Sequence, residues 1–176
     1  RPNCMSRSVY EIEEECRRLI DHGFKEIVLT GVQLGAFGRE RGEDKALITL
    51  LDRMSTLGGL SRIRLSSIEP RDVSTRLIAY MAHNPIICRH LHIPLQSGDD
   101  AILTRMRRGY SRDYFLELID AIRAAMADIE ITTDVIVGFP GEDANAFEQT
   151  CDILRMIEPL RIHIFPFSPR AGTEAC

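Results

Sequence analysis

Ile131-Thr132-Thr133-Asp134-Val135-Ile136-Val137, running straight into Gly138-Phe139-Pro140-Gly141-Glu142, is the stretch that decides the fold. A short apolar run, broken only by Asp134, ends in a turn crowded with Gly, Pro and an acid. Four other runs end the same way. Glu26–Thr30 leads into Gly31-Val32-Gln33, and Arg62–Ser66 leads into Ser67-Ile68-Glu69-Pro70. His90–Ile93 leads into Pro94-Leu95-Gln96-Ser97-Gly98, and Arg161–Phe165 leads into Pro166-Phe167-Ser168-Pro169-Arg170. Each run has strand length and is bounded by turn signals. Polar, backbone-exposing turns at strand ends are more than a stable core requires. They point to an enzyme or to a large piece of one.

Helix-period segments separate the runs. Ile12, Cys16, Leu19 and Ile20 recur at helical spacing, Ser8 with Glu11 spells a capping box, and Gly23 after His22 is a stop signal. Leu47, Leu50, Leu51 and Met54 make the next stripe, and Leu77, Ile78 and Met81 a shorter one that Ser74 is placed to cap. Asp99–Met106 and residues 111–127 follow, the latter with Phe115, Leu118, Ile119 and Ile122 inward. Phe147, Cys151, Leu154 and Ile157 mark the inward face expected of the last helix. Strand, turn and helix thus recur in order, and such a repeat builds a parallel sheet or barrel whose functional groups lie at the C-terminal strand ends. A βα barrel begins with a strand, whereas this chain opens with a helix. The expected fold class is therefore α/β, a partial parallel βα barrel lacking its first strand and the loop after it, in a single domain over residues 1–176. The alternative is an αβ sheet that begins with an unpaired helix.

Composition sets limits. The 176 residues are 44% hydrophobic and 27% charged, ordinary values for a globular chain. That is too short for a complete eight-fold barrel of about 250 residues. No apolar stretch approaches the ~20 residues of a membrane helix, and none follows Arg1-Pro2-Asn3-Cys4 as a signal peptide requires. The five cysteines are scattered without a zinc or disulfide spacing, so a reduced, cytoplasmic setting is expected. A net charge of −4 argues against broad electrostatic binding of nucleic acid. The local exception is Arg105, Arg107, Arg108 and Arg112 around Tyr110. These residues either grip an RNA backbone and stack on a base or form a solvated corner between helices. Arg39 and Arg41 make a weaker case in the loop 37–44, which reads as mobile.

The five turns, in this order, resemble the radical S-adenosylmethionine core of the methylthiotransferases. The segments that carry the likeness run from Thr30 to Gln33, from Leu65 to Pro70, from His90 to Gly98, from Thr132 to Glu142 and from Phe165 to Thr173. Ser6-Arg7-Ser8 is similar to the stretch before the family's first barrel helix. The resemblance implies a full-length enzyme that adds a methylthio group to a tRNA adenosine beside the anticodon, or to a ribosomal protein side chain. Leu65-Ser66-Ser67-Ile68-Glu69-Pro70 is most similar to the branch acting on threonylcarbamoyl-adenosine. The implied cofactors are S-adenosyl-L-methionine and 4Fe-4S clusters. The implied partners are tRNA and a reductant, with the protein itself monomeric.

The resemblance also assigns positions. Gly31 and Gln33 fall where the family meets the methionyl amino group; Gly admits close backbone approach and a Gln carbonyl accepts from an ammonium. The alternative there is a Gly turn with a solvent-facing Gln. Glu69, with Ser67 nearby, is placed for ribose hydroxyls, or is a surface acid before a Pro turn. Gln96 and Ser97 present an amide and a hydroxyl at the barrel mouth. His90 and His92 alternate along their strand, one of them turned inward as a core histidine or a base. Ile136 and Gly138 resemble the strand that lines the adenine pocket. Asp134 needs partners in a buried strand, as a structural or a ligand-binding group. Glu142 is expected to favour the next helix N-terminus. Phe167, Ser168 and Arg170 close the cofactor set, Arg170 by a forked contact to carboxylate or phosphate. Arg107, Arg108 and Tyr110 are the RNA candidates.

No residue here is an obvious acid or base, and no Cys-x3-Cys-x2-Cys triplet exists to hold the cluster, Cys4 being the only cysteine near that position. The chain alone is therefore expected to be inactive, its metal ligands lying elsewhere. Two other readings stand beside this one: a radical enzyme acting on a small molecule, and a metal-free barrel binding a sugar phosphate at residues 138–142.

Overall fold

A computed structural model describes residues 5–172 and 175 of the chain, so Cys4 and Thr173 lie outside the described residues. Two compact units make up the chain, Arg1–His90 and Leu91–Cys176. Parallel strands flanked by helices form each of them, which is the expected α/β class.

In the first unit, α1 (Val9–Asp21) precedes β1 (Glu26–Leu29), followed by α2 (Ala46–Ser55), β2 (Arg62–Leu65) and α3 (Thr75–His83). The capping box read from Ser8 and Glu11 is formed, and the Ser8 hydroxyl holds the Glu11 carboxyl below its ordinary value. Ser74 caps α3 by accepting from the Leu77 amide. β1 and β2 pair parallel with Leu29 opposite Leu65, and residues 86–88 lengthen the sheet along Ile63. Leu51, Met54, Ile63 and Met81 are fully buried, each contributing about 1.5–3 kcal/mol by leaving water. Glu13 reaches both Arg17 on α1 and Arg53 on α2.

From the unit boundary at His90 onward, β3 (His90–His92), β4 (Glu130–Val137) and β5 (Arg161–Pro166) form a sheet in that order, with β4 and β5 parallel. α4 (Asp100–Arg105) and α5 (Arg112–Ala125) connect β3 to β4, and α6 (Ala144–Ile157) connects β4 to β5. Asp99, Ser111 and Asp143 cap the three helices. The inward face of α6 is Ala146, Thr150, Ile153 and Ile157 rather than the stripe read from Phe147, Cys151 and Leu154; Phe147 is 45% exposed. The cause is the close passage of residues 97–98. A Cβ on Gly98 would meet the Gln149 carbonyl and Thr150 Cα within 2.6 Å. The Thr150 hydroxyl accepts from the Gly98 amide at 2.8 Å and donates to the Ala146 carbonyl. A polar contact set the helix face, against the apolar pattern.

The loop expected to be mobile, 37–44, contains a 3-10 turn at Arg39–Arg41. Arg39 pairs with Asp72, and Arg41 pairs with Glu40 and Glu43. Among the described residues no helix is long and apolar enough to cross a membrane.

Candidate functional site

Each unit gathers its own candidates at the C-terminal ends of parallel strands. In the first, Gly31 and Gln33 follow β1, and Ser67 and Glu69 follow β2. The two turns touch: a Cβ on Gly35 would run into the Asp72 side chain at 2.2 Å, and the Arg39–Asp72 ion pair ties them again. Gly35 is therefore needed for close approach rather than for its φ. Gly31, Gln33 and Ser67 are exposed and Glu69 is half-buried. Gly31 and Gln33 line a cavity of about 350 Å³ whose walls are Ile12, Cys16 and Leu34.

In the second unit the turn after β3 is the most constrained. Gln96 is only 8% exposed and has φ of 69°, a left-handed conformation that side-chain-bearing residues seldom adopt. Its backbone is locked to β4, donating to the Asp134 carbonyl at 2.8 Å and accepting from the Ile136 amide at 2.9 Å. A strained residue carrying a polar side chain at a strand end has the character of a ligand contact. Ser97 is fully buried against Thr150 and accepts from the Asp99 amide, so it supports the turn.

Gly138 has φ of 73°, and its amide donates to a Glu142 carboxylate oxygen. Glu142 thus closes its own loop, while Asp143 caps α6. The same contact occupies the amide that a phosphate would need, which counts against the sugar-phosphate reading. After β5, a hollow of about 510 Å³ is lined by Ile136, Phe165, Phe167, Ser168 and Arg170. Phe139 and Phe167 meet edge to face at 5.1 Å beside it. Its aliphatic and aromatic lining, with one hydroxyl and one guanidinium, suits a heteroaromatic ring bearing polar substituents.

Asp134 lies deeper on β4, directly across from His163 on β5. Its two oxygens meet His92 Nε2 at 3.1 Å and His163 Nδ1 at 3.0 Å. His90 and His92, two positions apart on β3, share a face and are both half-buried. The sequence separations hid this trio, and His163 drew no notice because nothing local marks it.

Tyr110 is 8% exposed, and its hydroxyl donates to the Pro94 and Leu95 carbonyls. The ring belongs to the core, with Arg107 exposed and Arg108 half-buried on the same turn. Arg105 and Arg112 are engaged with the Pro140 and Gln149 carbonyls.

Among the described cysteines, Cys16, Cys88 and Cys151 lie on separate elements, and burial pushes the Cys16 and Cys88 thiols up. No three of them converge. A 4Fe-4S cluster therefore does not fit the described residues.

Residues 1–154 match the family described as the radical SAM superfamily. Over 170 residues the chain is 42% identical to threonylcarbamoyladenosine tRNA methylthiotransferase MtaB of Thermotoga maritima, spanning 97% of this chain and 39% of that protein. It is 41% identical over 171 residues to the tRNA-2-methylthio-N(6)-dimethylallyladenosine synthase of Syntrophotalea carbinolica, with the same shares. The chain thus spans about two-fifths of the length of these relatives. Among solved structures, the radical S-adenosylmethionine methyltransferase TsrM of Kitasatospora setae, with cobalamin and a [4Fe-4S] cluster bound, superposes with a TM-score of 0.71 at 16% identity. That match covers 91% of this chain and 31% of that one, and it speaks for the fold alone.

Proposed function

The chain belongs to the radical SAM superfamily, and on that premise we propose that it supplies the S-adenosylmethionine-binding region of a tRNA methylthiotransferase. The observation that carries the reading is identity above 40% across nearly the whole chain to two tRNA-methylthiolating enzymes. The strained Gln96, bonded through its backbone to Asp134 and Ile136, supports it independently.

The cofactor, once bound with its cluster, supplies hydrogen abstraction from an unactivated carbon. This chain's residues bind and orient it. Ile136 and Phe167 pack on the adenine, and the Gly138 turn lets the backbone approach its edge. The Gln96 amide and Ser168 hydroxyl hydrogen-bond polar edges, and Arg170 takes a carboxylate or phosphate. Gly31 and Gln33 keep the methionyl ammonium role, and Ser67 with Glu69 the ribose role, that the resemblance gives them. Asp134 sits two residues below Ile136 on the same strand face and holds that layer in place. Arg107 and Arg108 contact the RNA backbone, with Tyr110 behind them fixing the turn. The protein works as a monomer with a separate reductant, and the chain without cluster ligands does not turn over.

Between the two branches, Leu65–Pro70 favours threonylcarbamoyl-adenosine. Mass spectrometry of tRNA nucleosides from a strain lacking the gene tests both levels. Loss of the 2-methylthio mark from threonylcarbamoyl-adenosine alone is expected. Loss from the isopentenyl nucleoside instead moves the enzyme to the other branch. An unchanged nucleoside profile refutes the assignment to tRNA.

A further inference from the structure

We propose that His92, Asp134 and His163 form a binding site for one divalent first-row metal ion, separate from any iron–sulfur cluster. The inference stands whether or not the tRNA reading holds, because it rests on the second unit's sheet alone. The three residues come from three adjacent strands, β3, β4 and β5. One ligand atom from each lies within 4.8 Å of the others. His92 Nε2 lies 3.1 Å from one Asp134 oxygen and His163 Nδ1 lies 3.0 Å from the other, close to the roughly 3.0–3.4 Å between neighbouring donors around an ion held at about 2.0–2.2 Å.

Three further features suit a metal. His92 Nδ1 meets the Thr132 hydroxyl at 2.9 Å, the outer contact that fixes a ring and turns its other nitrogen toward an ion. Asp134 has no Lys or Arg partner among the described residues, only the two imidazoles. Its side chain is 20% exposed and that of His92 14%, so its charge is partly desolvated and without a permanent cation. A divalent ion supplies that compensation. The third ligand, His163, has a side chain 45% exposed, which leaves an entry path and room for a fourth, exchangeable ligand. Two imidazoles and one carboxylate select zinc, iron(II), cobalt or manganese over magnesium or calcium. Three protein ligands with an open position is the arrangement of reactive rather than structural zinc sites.

The test uses the 176-residue chain, freed of metal, with zinc(II) as the titrant and cobalt(II) as the spectroscopic probe. One equivalent of zinc is expected to bind saturably. Cobalt should show visible d–d bands without a thiolate charge-transfer band, since no cysteine is in the set. His163→Ala, at an exposed position that leaves the fold intact by circular dichroism, and Asp134→Asn should each weaken binding at least tenfold. His83→Ala, on an unrelated helix end, should change nothing. Absence of saturable binding, a thiolate band, or unchanged affinity in both ligand variants overturns the proposal.

Discussion

Gln96 joins strain to chemistry in a single residue. Its φ of 69° costs on the order of 1–2 kcal/mol for a residue with a side chain, yet its backbone is held by two bonds to β4. A purely structural turn is better served by Gly. Gln96→Gly is therefore expected to raise stability by about 1 kcal/mol in chemical denaturation, by relieving that strain. A loss of 1 kcal/mol or more assigns the side chain to packing and removes it from the site. The sequence placed Gln96 at a strand end and flagged its amide; the positive φ was invisible, because only Gly and Asn announce it locally. Tyr110 was misleading for a related reason. An aromatic among arginines looks like a stacking platform, but its hydroxyl finds two carbonyls in the core.

The strands were legible and one helix face was not. All five apolar runs form strands within one or two residues of their read limits, since short apolar runs closed by Gly and Pro admit little else. Ser8 and Ser74 capped as their spacing required. Ile157 is buried as read, but the other three residues of the α6 stripe were read one position off because periodicity counts apolar residues, whereas Thr150 is buried for its hydrogen bonds. The element that enforces this is the 97–98 turn. Gly98→Ala places a methyl against the α6 backbone, and overpacking of this kind costs about 1–3 kcal/mol. Thermal denaturation should show that destabilisation, whereas an unperturbed melting temperature means α6 can retreat and the close approach is incidental. The His92–Asp134–His163 cluster escaped notice at this scale too: register between β4 and β5 brings together residues 29 positions apart, and no motif spacing encodes it.

For the whole molecule, the family was readable because five turns kept their order, while the substrate rests on relatives that extend well beyond this chain. On the proposed tRNA reading, RNA meets this mildly acidic chain through local patches rather than through net charge. Arg107→Ala with Arg108→Ala, in the protein from the complete gene, should weaken tRNA binding and lower the salt slope by roughly one for each phosphate that is no longer neutralised. Cofactor affinity should not move, and an unchanged slope places RNA elsewhere. The most direct test is an equilibrium titration of S-adenosylmethionine into that complete protein and its Gln96→Gly variant, with cluster content matched. Saturable binding weakened at least tenfold in a stably folded variant is the expected result. Equal affinity in the two proteins contradicts the role given to these strand ends.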